Sequence, residues 1–211
     1  LTLILILIIN SYTNSALALA RGDTEKIGIP LGTISVYILG SWLTGFMMPT
    51  FHRKTWEISP EYGPCFLIGT LIYVAAVLFA VNDPDGGVYY FLAAACNGLQ
   101  NGMTSIFSQN LIRTTHLTGS TTDIGLILGQ LSRGHNKLLW KLYVLVLLTL
   151  AFFLGGILSY PTVKAWGFHA IIVNAVVFGI VGISASILVT LEWEISFWQF
   201  FVGMELTWDS V

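Results

Sequence analysis

Charge is what this chain has least of. Of its 211 residues, 9% are Asp, Glu, Lys or Arg, against roughly 25% in a soluble domain. Nine basic and eleven acidic side chains cannot give a chain of this length a water-seeking surface. The formal net charge of −2 provides no basic face, so composition carries no nucleic-acid signal. Cysteine is almost as scarce. Cys65 and Cys96 both lie in apolar runs and read as small core residues rather than as a disulfide or metal pair. No CxxC, HExxH or EF-hand loop occurs. No nucleophile–base pair stands out either, so enzyme chemistry is not expected and no cofactor is indicated.

What fills the chain instead is apolar. Hydrophobic residues make up 55%, and mean hydropathy is +0.78. The lipid bilayer is then the solvent for most of the surface, and the expected fold is an all-α polytopic membrane helical bundle. A span takes about 20 apolar residues, and six segments qualify: 1–20, 27–48, 63–81, 88–109, 138–160 and 166–191. The first is already membrane-like at Leu1, which reads as the surviving part of a truncated N-terminal segment, and polar residues from Asn10 to Ser15 interrupt it. Pro49 closes the second span and Pro161 the fifth, while Asn82-Asp83-Pro84-Asp85-Gly86-Gly87 is a turn after the third. The apolar stretch 123–131 is only half a span. The expected organisation is one bundle over 1–191, followed by an aromatic segment, 192–211, lying at the interface.

Loop charges orient the bundle. With six crossings, Arg53, Lys54, Arg113, Arg133, Lys137 and Lys141 fall on one side and Arg21, Lys26 and Lys164 on the other. The first side, with the C-terminus, is expected to be cytoplasmic, or stromal or matrix in an organelle. Small residues at helix-packing spacing are Gly28 and Gly32, Gly98 and Gly102, Gly125 and Gly129, and Gly182 and Ser186. They serve packing within one bundle or, alternatively, a homodimer face. The two halves also rhyme. A polar-interrupted run ending in ALALARGD and another ending in GLILGQLSRG each precede a glycine-bearing span ending in proline. Three spans per half would make a 3+3 inverted repeat, which points to a transporter site near the midplane.

Candidate site residues cluster in 97–125. Asn97, Asn101 and Ser105 share one helical face, with Gln100 beside them. Such a stripe either bonds to neighbouring helices or forms the polar wall of a cavity. Arg113, Thr114, Thr115, His116, Thr118, Gly119, Thr122 and Asp123 follow. Thr118-Gly119 reads as a break in a broken or re-entrant helix around 113–131. Ser120, Thr121 or Thr122 is then expected to cap a short helix starting near Asp123. A buried helix N-terminus with Arg113 nearby is a recipe for an anion site. The alternatives are a self-satisfied knot in which Arg113 pairs with Asp123, and an ordinary surface loop. His116 is either a proton-linked group or a structural histidine.

Gly98, Gln100 and Asn101, then Arg113, Thr114, Thr115, Thr118, Gly119, Thr122, Asp123 and Gly125, match a signature: Gly-x-Gln-Asn-Ala, then Arg-Thr-Thr-x-x-Thr-Gly-Thr-x-Thr-Asp-x-Gly. On these residues the chain resembles the YoaK family of small uncharacterised multi-pass membrane proteins. Gly102 and Ser120 replace the family's usual Ala and Thr, and its Thr-Gly-Asn element in the first span has no match beyond Thr13-Asn14 or Asn10-Ser11. The resemblance implies an integral membrane protein of about six helices, sometimes taken for a transporter. Two functions are therefore expected as alternatives. One is a secondary transporter of a small solute or anion. The other is a non-catalytic accessory subunit of a larger membrane complex, its Trp-rich ends contacting other membrane subunits, pigments or lipids.

Overall fold

The computed structural model describes residues 2–23, 26–48, 62–83, 86–111 and 117–193. Among them lie seven α-helices: α1 (Thr2–Arg21), α2 (Gly28–Met47), α3 (Tyr62–Asn82), α4 (Val88–Phe107), α5 (Leu117–Leu131), α6 (Leu139–Trp166) and α7 (Ile171–Trp193). A turn of 3-10 helix, Gly167–Ala170, joins the last two. The fold is all-α. Four helices, α2, α3, α6 and α7, are long and apolar enough to cross a membrane. The arginine-to-histidine run 113–116 and most of the expected interfacial tail, 194–211, lie outside the described residues.

The helices pack in a definite order. α4 lies between α2 and α3, α7 lies on α3, α1 lies on α2 and touches α4 and α6, and α5 lies on α6. The α3–α4 connection explains one neighbour pair. The Asp83 carboxylate accepts the Gly86 amide at 3.0 Å, and Gly87 takes φ +70. The chain therefore reverses within a few residues and returns α4 alongside α3.

Hydrophobic drive is absent between helices in lipid, so close backbone approach must hold them. The α2–α4 crossing achieves it with reciprocal glycines. A Cβ on Gly40 would land on the carbonyl oxygen of Ala95, and one on Gly98 would land on that of Tyr37. At this separation two hydroxyls reach the facing backbone: Ser41 Oγ donates to the Gly98 carbonyl at 2.9 Å and Thr44 Oγ1 to that of Leu99 at 2.8 Å. On the other side, Gly69 and Gly182 admit the side chains of Phe178 and Phe66 between α3 and α7. Phe178 meets Phe66 edge-on at 5.5 Å and Tyr73 at 5.2 Å.

Three expectations change. Pro161 does not end its helix; α6 continues to Trp166. Pro161 deprives only the Ile157 carbonyl of its amide donor; on either side of it Ser159 Oγ donates to Gly156 at 2.9 Å and Thr162 Oγ1 to Leu158 at 2.8 Å. Of the expected small-residue pairs, Gly28, Gly125 and Gly129 have nothing within 4 Å of where a Cβ would sit. The contacts belong to Gly32, Gly98, Gly102 and Gly182, joined by Gly40 and Gly69. Finally, α5 starts at Leu117 rather than near Asp123, so Thr118-Gly119 lies in its first turn and is not a break.

Candidate functional site

The polar face of α4 is buried in the bundle. Asn97 is 1% exposed, and its Oδ1 accepts a hydrogen bond from Tyr73 Oη of α3 at 3.3 Å. Among the described residues its Nδ2 has no partner, and neither does the buried Oε1 of Gln100, three residues on. Asn101 is half-buried and engaged. Thr104 turns its hydroxyl back onto the carbonyls of Gln100 and Asn101 at 3.1 and 3.2 Å. A buried polar group left unmade costs about 1–3 kcal/mol, so each orphan requires an explanation. A third, Ser15 Oγ, lies on α1, the helix that touches α4.

The same helix leads to a cleft. Between the C-terminal halves of α2 and α4 is a space of about 330 Å³ lined by Ser41, Gly45, Gly102, Ser105, Ile106, Gln109 and Asn110. Ser105 lies about two turns along α4 from Asn97, which itself turns to Tyr73 of α3. Gly45 has nothing within 4 Å of where a Cβ would sit, so its missing side chain keeps the floor open. At the mouth α4 ends in two successive non-glycine residues with positive φ, Gln109 at 48° and Asn110 at 67°. Backbone of this kind is strained by about 1–2 kcal/mol per residue and concentrates at functional positions. Sequence reasoning missed Ser41, Gly45, Gln109 and Asn110. The first two sit at i, i+4 beside Gly40 and Thr44, a pattern that letter by letter reads as packing alone.

The second half of the expected site is elsewhere. Thr118, Gly119, Thr122 and Asp123 lie on α5, whose main packing is on α6. Two hydroxyls of this run bond within α5. Thr121 Oγ1 donates to the Leu117 carbonyl at 2.9 Å and Thr122 Oγ1 to that of Thr118 at 3.0 Å. Asp123 pairs with Lys141 of α6 at 2.9 Å. Arg113, Thr114, Thr115 and His116 lie outside the described residues. The structure thus places Asn97, Gln100 and Asn101 on α4, which packs on α2 and α3, and the described α5 residues on a helix that packs on α6.

Electrostatically the core is bare. α2, α3 and α4 contain no Asp, Glu, Lys, Arg or His. Among the described residues no three His, Cys, Asp or Glu side chains group as metal ligands do. His169 bonds its own turn, Nδ1 to the Trp166 carbonyl at 3.1 Å. What the α2–α4 site offers is neutral: amides, hydroxyls and exposed helix backbone.

Membrane-length apolar helices around a buried polar face define a helical membrane protein. The family model described as "Protein of unknown function (DUF1275)" matches residues 11–184, and the chain belongs to that family. No curated protein and no solved structure matches it.

Proposed function

We propose that this chain is a small-solute transporter of six crossings, with its path along the polar face of α4. One observation carries the reading. Asn97 Nδ2 and Gln100 Oε1 are buried without partners inside the bundle, on the helix whose end opens into the α2–α4 cleft. A purely structural polar stripe satisfies itself; this one leaves a donor and an acceptor unused. The signature at 97–125 supports placing the chain with the YoaK proteins inside its family.

The packing supports a 3+3 inverted repeat. α1 packs on α2 as α5 packs on α6, and α3 packs on α7. This is the pattern expected if α1, α2 and α3 correspond to α5, α6 and α7. α4 is then the insertion that lines the site.

The test is reconstitution of the purified chain in vesicles, with efflux followed for a panel of charged and uncharged small solutes. Transport predicts release of at least one solute above protein-free vesicles, blocked by Gly45→Val, which fills the cleft floor. Release that Gly45→Val leaves untouched places the path elsewhere.

A second reading, an accessory subunit, is favoured by α6. Of its 28 residues only Leu145 is buried. Native mass in mild detergent separates the two: co-migration with a much larger assembly favours the subunit, a particle of one or two 23.2 kDa chains the transporter.

A further inference from the structure

The geometry points to an uncharged cargo: a small molecule that both donates and accepts hydrogen bonds, of the class of polyols and carboxamides, read by Asn97 and Gln100. This deepens the transport reading above and rests on it.

An ion would need what these helices lack. A charge held in the membrane interior costs several kcal/mol unless a counter-charge or a ring of donors meets it. Neither counter-charge nor titratable carboxylate, imidazole or amine exists in α2, α3 or α4. The helix that would have served an anion, α5, packs on α6, where Lys141 holds its Asp123. An anion passing along α4 would also approach an unpartnered carbonyl oxygen, Gln100 Oε1, which repels it.

An uncharged solute meets none of these costs and answers both orphans. Asn97 Nδ2 offers a donor, and Gln100 Oε1 an acceptor one turn away on the same helix. Tyr73 Oη fixes the Asn97 amide from the other end, at 3.3 Å, so its free amine keeps one direction. A hydroxyl or carboxamide supplies one acceptor and one donor, the complement of the pair. The cleft of about 330 Å³ lies further along α4, lined there by Gly102, Ser105 and Ile106 rather than by the pair itself, and is at the small end of ligand sites, which run from about 300 to 1,000 Å³. With no carboxylate, imidazole or amine in these helices to carry a proton, movement along them is expected to be downhill and electroneutral.

The test uses the full-length protein in phosphatidylcholine vesicles. Glycerol and urea permeation is read by stopped-flow reswelling, and chloride and inorganic phosphate by efflux. Glycerol or urea is expected to cross faster than in empty vesicles and the two anions not to. Gln100→Met, which keeps length and removes the acceptor, should lower the uncharged flux about tenfold, the loss of one hydrogen bond to the solute. Anion flux without uncharged flux overturns the cargo class and leaves transport standing. Uncharged flux that Gln100→Met does not change overturns the assignment to this pair. No flux of any probe overturns the transport reading and this inference together. If Gln100→Met does not fold, Gly45→Val replaces it, since that position has free space; unchanged uncharged flux in this variant overturns the site equally.

Discussion

Single residues separate two kinds of glycine that look alike in the sequence. At Gly98 the added methyl of Gly98→Ala meets the carbonyl oxygen of Tyr37, and backbone cannot move aside as a side chain can. Gly98→Ala should therefore push α2 and α4 apart and lower stability by about 1–3 kcal/mol or more, read as the unfolding midpoint in detergent. Gly125→Ala, with nothing within 4 Å, should leave the midpoint unchanged or raise it, since alanine favours helix by about 0.5–1 kcal/mol. Equal effects at the two positions would show that the α2–α4 crossing is not glycine-limited. Gln100→Met carries a different signature. Removing a buried orphan acceptor without leaving a hole should stabilise the protein by about 1 kcal/mol even as it removes flux, the trade-off expected where an unsatisfied group serves function. A fall in stability would mean that Gln100 has a structural partner. Asn97, Gln100 and Asn101 were legible because polar letters stand out in an apolar helix. Ser41 and Gly45 were not, because which face of α2 meets α4 is decided by partners distant in sequence.

At the scale of elements, a helix outside the four apolar spans is packed between two of them. α4 falls outside the four apolar spans because Asn97, Gln100, Asn101, Thr104 and Ser105 lower its hydropathy. Yet it is flanked by α2 and α3. A helix surrounded by protein need not be apolar on every side, so hydropathy measures exposure to lipid as much as membrane depth. The reverse holds for α6, apolar over most of the stretch between Lys141 and Lys164 and buried only at Leu145. The all-α class and the approximate bounds of α2, α3, α4 and α7 were legible from run length; the expected count of six spans meets seven helices, four of them long and apolar enough to cross. Helix ends were less legible, because Pro161 and Thr118-Gly119 act through local bonds that composition does not reveal: hydroxyls covering carbonyls at Ser159 and Thr162, and threonines folding back onto α5. Asp123 lies inside α5, which starts at Leu117, so the helix start expected near it is not there. The link between α5 and α6 invites a measurement. Asp123 and Lys141 are 42% and 28% exposed and 2.9 Å apart. A double-mutant cycle with Asp123→Asn and Lys141→Gln should give a coupling of about 0.2–1 kcal/mol that shrinks in high salt. A coupling of several kcal/mol, insensitive to salt, would place the pair in a dry interface and reopen α5 as part of the site.

For the whole molecule the decisive question is whether α4 crosses. Its 20 residues span about 30 Å, the thickness of the hydrocarbon core. It runs back along α3 from a tight turn and packs against α2 through reciprocal glycines. Since α2 and α3 are membrane-length and apolar, a helix packed along both lies at their depth. Topology then follows by counting. With α4 as a crossing, Lys54 and Lys137 fall on one side and Lys26 and Lys164 on the other. Without it, Lys137 joins Lys26, and Lys164 joins Lys54. Four single replacements, Lys26→Cys, Lys54→Cys, Lys137→Cys and Lys164→Cys, read out with a membrane-impermeant maleimide, distinguish the two arrangements. The background is low because Cys65 and Cys96 are both 0% exposed. The expected result is shared labelling of Lys54→Cys with Lys137→Cys. Labelling of Lys137→Cys with Lys26→Cys would take α4 out of the membrane, remove the odd number of spans between the halves, and with it the inverted repeat and a polar path along α4.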